Sequence, residues 1–171
     1  MSDNIYAAGC NIYGQLGLGH TGQLGLGRTN FVCALRDVEA GWGKIVAMVC
    51  GGAHTFMRSE HGKWYAAGYN NHGQLGLGHT NNVCAFEEVT GDWGKIVEMK
   101  CGWGHTFMRT EHGKWYAAGE NSEGQLGLGH TNNVCAFEEV KGGWGKIVAM
   151  ECGEAHTFMR SEDGKVYAAG W

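Results

Sequence analysis

The chain has 171 residues, enough for one sizeable core, and its 43% hydrophobic and 11% aromatic content excludes a disordered polymer. Its formal charge of -4 offers no attraction to a polyanion, so nucleic acid is not expected as a ligand. Glycine occurs 31 times and proline not at all, so tight turns rest on glycine. The opening Met1 to Tyr6 has neither a basic start nor an apolar run, and no later stretch is long enough to span a bilayer. The expectation is a soluble, cytoplasmic protein without a membrane partner.

In chain order, Ile5-Tyr-Ala-Ala-Gly9 aligns with Trp64 to Gly68, Trp115 to Gly119 and Val166 to Gly170. The last three recur every 51 residues, whereas Gly9 to Gly68 spans 59. The excess is a local duplication, in which Gly14 to Thr21 and Gly22 to Thr29 each carry Gly-Gln-Leu-Gly-Leu-Gly. The same hexapeptide stands at Gly73 to Gly78 and at Gly124 to Gly129. A fixed period of this length marks a propeller or solenoid.

Each period reads as four short strands. Lys44 to Cys50 is an almost unbroken apolar run, as expected of an inner strand buried on both faces. His54 to Arg58 follows, then a turn at Glu60-His61-Gly62 and a third strand over Lys63 to Gly68. The glycine-rich hexapeptide crosses to Val83 to Val89, polar enough for an outer edge, and Gly91 to Gly94 leads into the next unit. Capped helical periodicity is absent, so the fold class is all-β. The expected units are 1–43 (third and fourth strands with the duplicated linker), 44–94, 95–145 and a partial unit 146–171.

Cys-Gly-x-x-His-Thr occurs at Cys50 to Thr55, Cys101 to Thr106 and Cys152 to Thr157, followed by Gly-Lys-x-Tyr and x-Asn-x-x-Gly-Gln-Leu-Gly-Leu-Gly. This ordered set resembles the repeat of the regulator of chromosome condensation family over nearly the whole chain. The resemblance implies a β-propeller of four-stranded antiparallel blades, seven in most members. Some relatives act in nucleotide exchange on small GTPases or bind chromatin. The chain departs from the family in having Ala67, Ala118 and Ala169 where Trp is frequent, and in lacking the proline before the outer strand.

The strand inventory amounts to three blades, and propellers close with about four to eight. An open arc exposes strand edges and apolar flanks. The expectation is therefore a six-bladed ring made by a homodimer, each chain giving its N-terminal fourth strand to its partner's last blade. The inter-chain candidates are Ile5, Tyr6, Phe31, Val32, Cys33, Leu35, Val38, Val166 and Tyr167. Ile5 to Gly9 and Val166 to Gly170 then compete for one place, and the C-terminal copy, tethered to its own hairpin, is expected to win.

Comparison among the repeats isolates the loops that vary. The first-to-second and third-to-fourth connections of a blade emerge on one face, and there the chain carries Tyr13, Gly52, Tyr69, His72, Trp103, Glu120, Glu123, Glu154 and Trp171. Aromatic and acidic residues grouped in this way suit a protein-binding patch; drift at solvent-exposed loop tips is the competing reading. The Cys-x-x-x-His pairs are zinc-compatible in type, but one pair per blade is spread around a ring, and a buried Cys with a hydrogen-bonded His is the family's use of the motif. Repetition argues against an active site, and the hexapeptide opens no helix, so no phosphate loop is expected. The reading is a non-catalytic, self-assembling scaffold without cofactor or metal. Its alternatives are a fragment or an amplified, engineered repeat array without a specific ligand, and an exchange or chromatin-binding module.

Overall fold

The computed structural model describes residues 5–18, 31–38 and 41–171, with 31–37 described by backbone alone. The second hexapeptide copy at Gly22 to Gly27, and the side chains of Phe31, Val32, Cys33 and Leu35, lie outside the described residues. Every element among the described residues is a β-strand. The strands are β1 (Tyr6–Cys10), β2 (Phe31–Asp37), β3 (Ile45–Cys50), β4 (His54–Ser59), β5 (Trp64–Gly68), β6 (Val83–Glu88), β7 (Ile96–Cys101), β8 (His105–Thr110), β9 (Trp115–Gly119), β10 (Val134–Glu139), β11 (Ile147–Cys152), β12 (His156–Ser161) and β13 (Val166–Gly170).

They form two four-stranded antiparallel sheets, β3-β4-β5-β6 and β7-β8-β9-β10, a three-stranded sheet β11-β12-β13, and a two-stranded ribbon β1-β2. The glutamate-bearing strands β6 and β10 hold the outer edges, as their polarity predicts. The inner strands β3, β7 and β11 neighbour one another. Each carries a register shift at the same place, between Ile45 and Ala47, Ile96 and Glu98, and Ile147 and Ala149. Gly62 makes the expected turn with φ 81°.

Burial follows position in the stack of sheets. β5 is buried at every residue, with the next sheet on one side and the N-terminal ribbon with its crossing loop on the other, while its equivalent β13 is buried at none. One core joins Phe56, Leu75, Met99 and Phe137; another joins Phe107, Leu126 and Met150. Each therefore lies between consecutive sheets, not inside one.

The inner strands correct the expectation of burial on both faces. In β3, Val46 and Met48 are 47% and 61% exposed, and in β11 Val148 is 38% exposed. Met99 and Met150 occupy the place of Met48 one and two periods later and are only 3% and 1% exposed, because each has a preceding sheet against it. At the other flank Phe158 is 49% exposed, against 0% for Phe56 and 1% for Phe107.

The fourth strand near the N-terminus also sits differently from the expectation. Within one chain β2 pairs with β1, matching Tyr6 with Asp37 and Cys10 with Phe31, and Val38 N–H donates to the Ile5 carbonyl. In the isolated chain the N-terminal copy of the third strand thus holds it. The physical reason is proximity along one chain: the two are consecutive strands, whereas β13 belongs to the opposite flank.

Candidate interaction face and the clasp between sheets

The two variable connections of each sheet do share a face. Tyr69 N–H donates to the Ala53 carbonyl at 2.8 Å, Glu120 N–H to Gly104 at 2.8 Å and Trp171 N–H to Ala155 at 3.0 Å, tying the loop after each third strand to the loop before each second strand.

On this face the Tyr13 and Tyr69 rings meet at a tilt of 51° with centroids 4.6 Å apart, and His72 meets Tyr69 edge-on at 5.6 Å. The Asn133 side-chain amide reaches His72 Nδ1 at 3.2 Å, so the cluster spans two sheets. Gly52 lies beneath the Trp103 indole, where any side chain would overlap the ring, and its N–H donates to the Gly102 carbonyl at 3.3 Å. Trp103 is 47% and Trp171 90% exposed, while Glu123 and Glu154 are exposed carboxylates. Glu120 folds over Gly104 and is half-buried. The structure therefore joins Tyr13, Tyr69 and His72 in one cluster and Gly52 with Trp103 in another.

Three asparagines hold the loops that carry these residues. Asn70 Oδ1 accepts from Leu75 N–H at 2.9 Å, and its Nδ2 donates to the carbonyls of His79 and Asn81 at 2.8 and 3.0 Å. Asn121 repeats the knot with Leu126, His130 and Asn132, and Asn11 accepts from Leu16 N–H. All three are buried, so each satisfies loop amides that water cannot reach. Their recurrence three residues before Gly14, Gly73 and Gly124 is the sequence signal for this role, which the reading of variable loop residues passed over.

The repeated histidine bridges consecutive sheets. His54 Nε2 lies 2.9 Å from Thr106 Oγ1, and His105 Nε2 lies 3.1 Å from Thr157 Oγ1. The Thr106 hydroxyl donates to the Gln74 carbonyl at 2.8 Å, so Oγ1 receives its proton from His54 Nε2 and the ring carries none on Nδ1. Burial holds the His54 imidazole down at about 3, with the charge of His105 adding to the effect; burial, then the charge of His156, holds His105 at about 4. Burial pushes the Cys101 thiol up and the Cys152 thiol up to about 12. Neutral imidazoles and protonated thiols suit packing more than proton transfer or nucleophilic attack.

Cys10, Cys50, Cys84, Cys101, Cys135 and Cys152 are free, and among the described residues no group of three or more His, Cys, Asp or Glu is placed to hold a metal ion.

The Regulator of chromosome condensation (RCC1) repeat profile matches residues 2–57, 61–108 and 112–159. Bovine secretion-regulating guanine nucleotide exchange factor (Bos taurus) is 34% identical over 171 residues, covering 97% of this chain and 35% of that protein. Human X-linked retinitis pigmentosa GTPase regulator is 36% identical over 141 residues, covering 81% of this chain and 13% of that protein. The chain thus spans about a third or less of these relatives. The crystal structure of human WBSCR16 superposes with a TM-score of 0.82 at 21% identity, covering 97% of this chain and 42% of that one. Prp20p from Saccharomyces cerevisiae, a protein characterised for its binding to Gsp1p and histones, gives 0.78 at 17% identity, covering 98% and 40%. At such identities the structural likeness speaks to the fold. With the repeat profile matching most of its length, the chain belongs to the regulator of chromosome condensation (RCC1) repeat family.

Proposed function

We propose that this chain is a non-catalytic propeller scaffold that joins its two flanks between copies into a six-bladed homodimeric ring and offers the loop face to a protein partner. On this reading 44–94 and 95–145 are whole blades, and 146–171 is completed by the N-terminal fourth strand of a second copy.

One observation supports it. Met48 is 61% exposed and Phe158 49%, while the equivalent Phe56 with Met99 and Phe107 with Met150 are packed together at 0–3% exposure. The two flanks carry complementary halves of a contact that the chain already makes twice. Burying two such side chains contributes about 1.5–3 kcal/mol each at each seam. The clasp repeats the pattern: His156 is half-buried at one flank and Thr55 half-buried at the other, whereas His54, His105 and Thr106 are fully enclosed.

Native mass spectrometry tests the ring. A dimer of the 18.5 kDa chain is expected, and a compact monomer would remove this reading in favour of a segment of a longer propeller. For the loop face, Trp103→Ala with Tyr69→Ala is expected to abolish binding of any protein that the ring captures while leaving the dimer mass unchanged; undiminished capture would discard the face. The relatives' names point to GTPase regulation. Among the described residues no observation favours that reading over the scaffold.

A further inference from the structure

At the first two crossing loops, the one after β1 and the one after β5, the loop receives the outer strand of the next sheet. Gly14 and Gly73 lie against the backbone of Cys84 and Cys135, and Gly17 and Gly76 against the rings of Phe86 and Phe137, so closely that a Cβ would overlap its neighbour. Gly78 N–H donates to the Cys135 carbonyl at 2.8 Å. A tryptophan closes each pocket edge-on: Trp42 lies 5.7 Å from Phe86, and Trp93 lies 5.7 Å from Phe137.

The third crossing loop keeps the same shape, but among the described residues no outer strand lies against it. Gly124, Gly127 and Gly129 have φ of 77°, 65° and 81°, against 84°, 65° and 82° at Gly73, Gly76 and Gly78. A Cβ at Gly124 or Gly129 would meet nothing within 4 Å, and one at Gly127 only the Ala169 methyl at 3.7 Å. Beside the loop is a cavity of ≈ 290 Å³ lined by Leu126, Gly127, Trp144, Tyr167 and Ala169 among others. One period earlier, the equivalent Leu75, Gly76, Trp93, Tyr116 and Ala118 surround Phe137.

We propose that this cavity and the outer edge of β13 form a strand-docking site, occupied by residues 31–38 of a second copy with Leu35 in the place that Phe86 and Phe137 take in their own sheets. The proposal deepens the ring reading and rests on it. Val32-Cys-Ala-Leu-Arg-Asp-Val38 aligns residue for residue with Val83 to Val89 and Val134 to Val140, which puts Leu35 in register with the two phenylalanines.

Charge agrees with this register. Lys63 pairs with Glu88 at 2.9 Å and Lys114 with Glu139 at 3.1 Å, each linking the start of a third strand to the end of its fourth. The corresponding residues at the docking site are Lys165 and the second copy's Asp37, whereas the residue at the lysine position before β1 is Asn4. In the isolated chain β2 belongs to a ribbon of two strands, in which Tyr6, Ala8 and Gly9 are exposed. Such a ribbon is marginal in water. Exchange onto β13 conserves the number of strand pairs, completes a four-stranded sheet and fills the cavity, which is the thermodynamic pattern of strand swapping.

The test mixes nitrogen-14 and nitrogen-15 forms of the full chain, couples carboxylates to amines with a carbodiimide, and maps cross-links by mass spectrometry. A Lys165–Asp37 cross-link between differently labelled chains is expected. A dimer whose cross-links join other pairs, or join Lys165 to Asp37 within one label only, overturns the docking site and leaves the ring standing. A monomer overturns both. Leu35→Phe, matching the residue of the other two pockets, is expected to tighten the dimer about tenfold; an unchanged dissociation constant would show that Leu35 does not enter the cavity.

Discussion

The imidazole of His54 donates to the hydroxyl of Thr106 across the boundary between two sheets, at 2.9 Å, and that hydroxyl donates in turn to the Gln74 carbonyl. Thr106 is fully buried, so neither neighbour has water as a substitute. Replacing it by valine keeps the shape and strands one donor and one acceptor. Thr106→Val is therefore expected to cost about 2–3 kcal/mol, and Thr106→Ser, which keeps the hydroxyl, about 1 kcal/mol. Urea unfolding at one fixed protein concentration measures both; equal losses would mean that the hydroxyl does not matter.

The same clasp makes stability depend on pH. His54 and His105 are held at about 3 and about 4 in the folded chain, below the ordinary 6.5 they regain on unfolding. Between those limits the unfolded state binds more protons. The stabilisation is thus complete above about pH 6.5 and declines as pH falls towards the folded values, by up to about 1.4 kcal/mol per pH unit for each histidine. Unfolding midpoints at about pH 7.5 and about pH 5 check this; identical midpoints would contradict two neutral, enclosed imidazoles.

Glycines of the hexapeptide are not equivalent. Gly76 and Gly78 both adopt left-handed backbone, with φ of 65° and 82°, but only Gly76 lies against the Phe137 ring. Alanine at Gly78 is expected to cost the backbone strain alone, about 1–2 kcal/mol. At Gly76 the same change adds overpacking of about 1–3 kcal/mol. Thermal unfolding of the two variants should separate them, and a Gly78→Ala loss as large as that of Gly76→Ala would deny the inter-sheet contact its importance.

Much of the fold was legible in the chain because strand order is written locally. The period of 51 residues, the polar character of Val83 to Glu88 and the glycine turns predicted which strands are inner and which outer. The loop face was legible too, since hairpin connectivity puts alternate connections on one side, and Tyr69 bonding to Ala53 realises it. The division of that face into a tyrosine–histidine cluster and a separate Trp103–Gly52 contact was not, because it depends on the spacing between sheets. Inner-strand burial was over-read: Met48, Met99 and Met150 are the same residue in the same register, and only the presence of a preceding sheet distinguishes 61% exposure from 3% and 1%.

The sequence by itself determined the repeat, the all-β class, the strand order and the surplus third strand, since all of these follow from patterns within one period. The tertiary structure decided how the first copy of the doubled hexapeptide is docked. Gly14 and Gly17 rest on Cys84 and Phe86, and Leu18 bridges to Ala85, so this copy packs against the outer strand of the next sheet. It also decided that the motif histidine acts one sheet further on, joining residues 52 apart, and that the loop at Gly124 to Gly129 keeps the backbone of its counterparts without an outer strand of the described residues against it. Such facts arise where neighbouring units touch, and a pattern that repeats along the chain cannot distinguish a unit with a neighbour from one at an open flank.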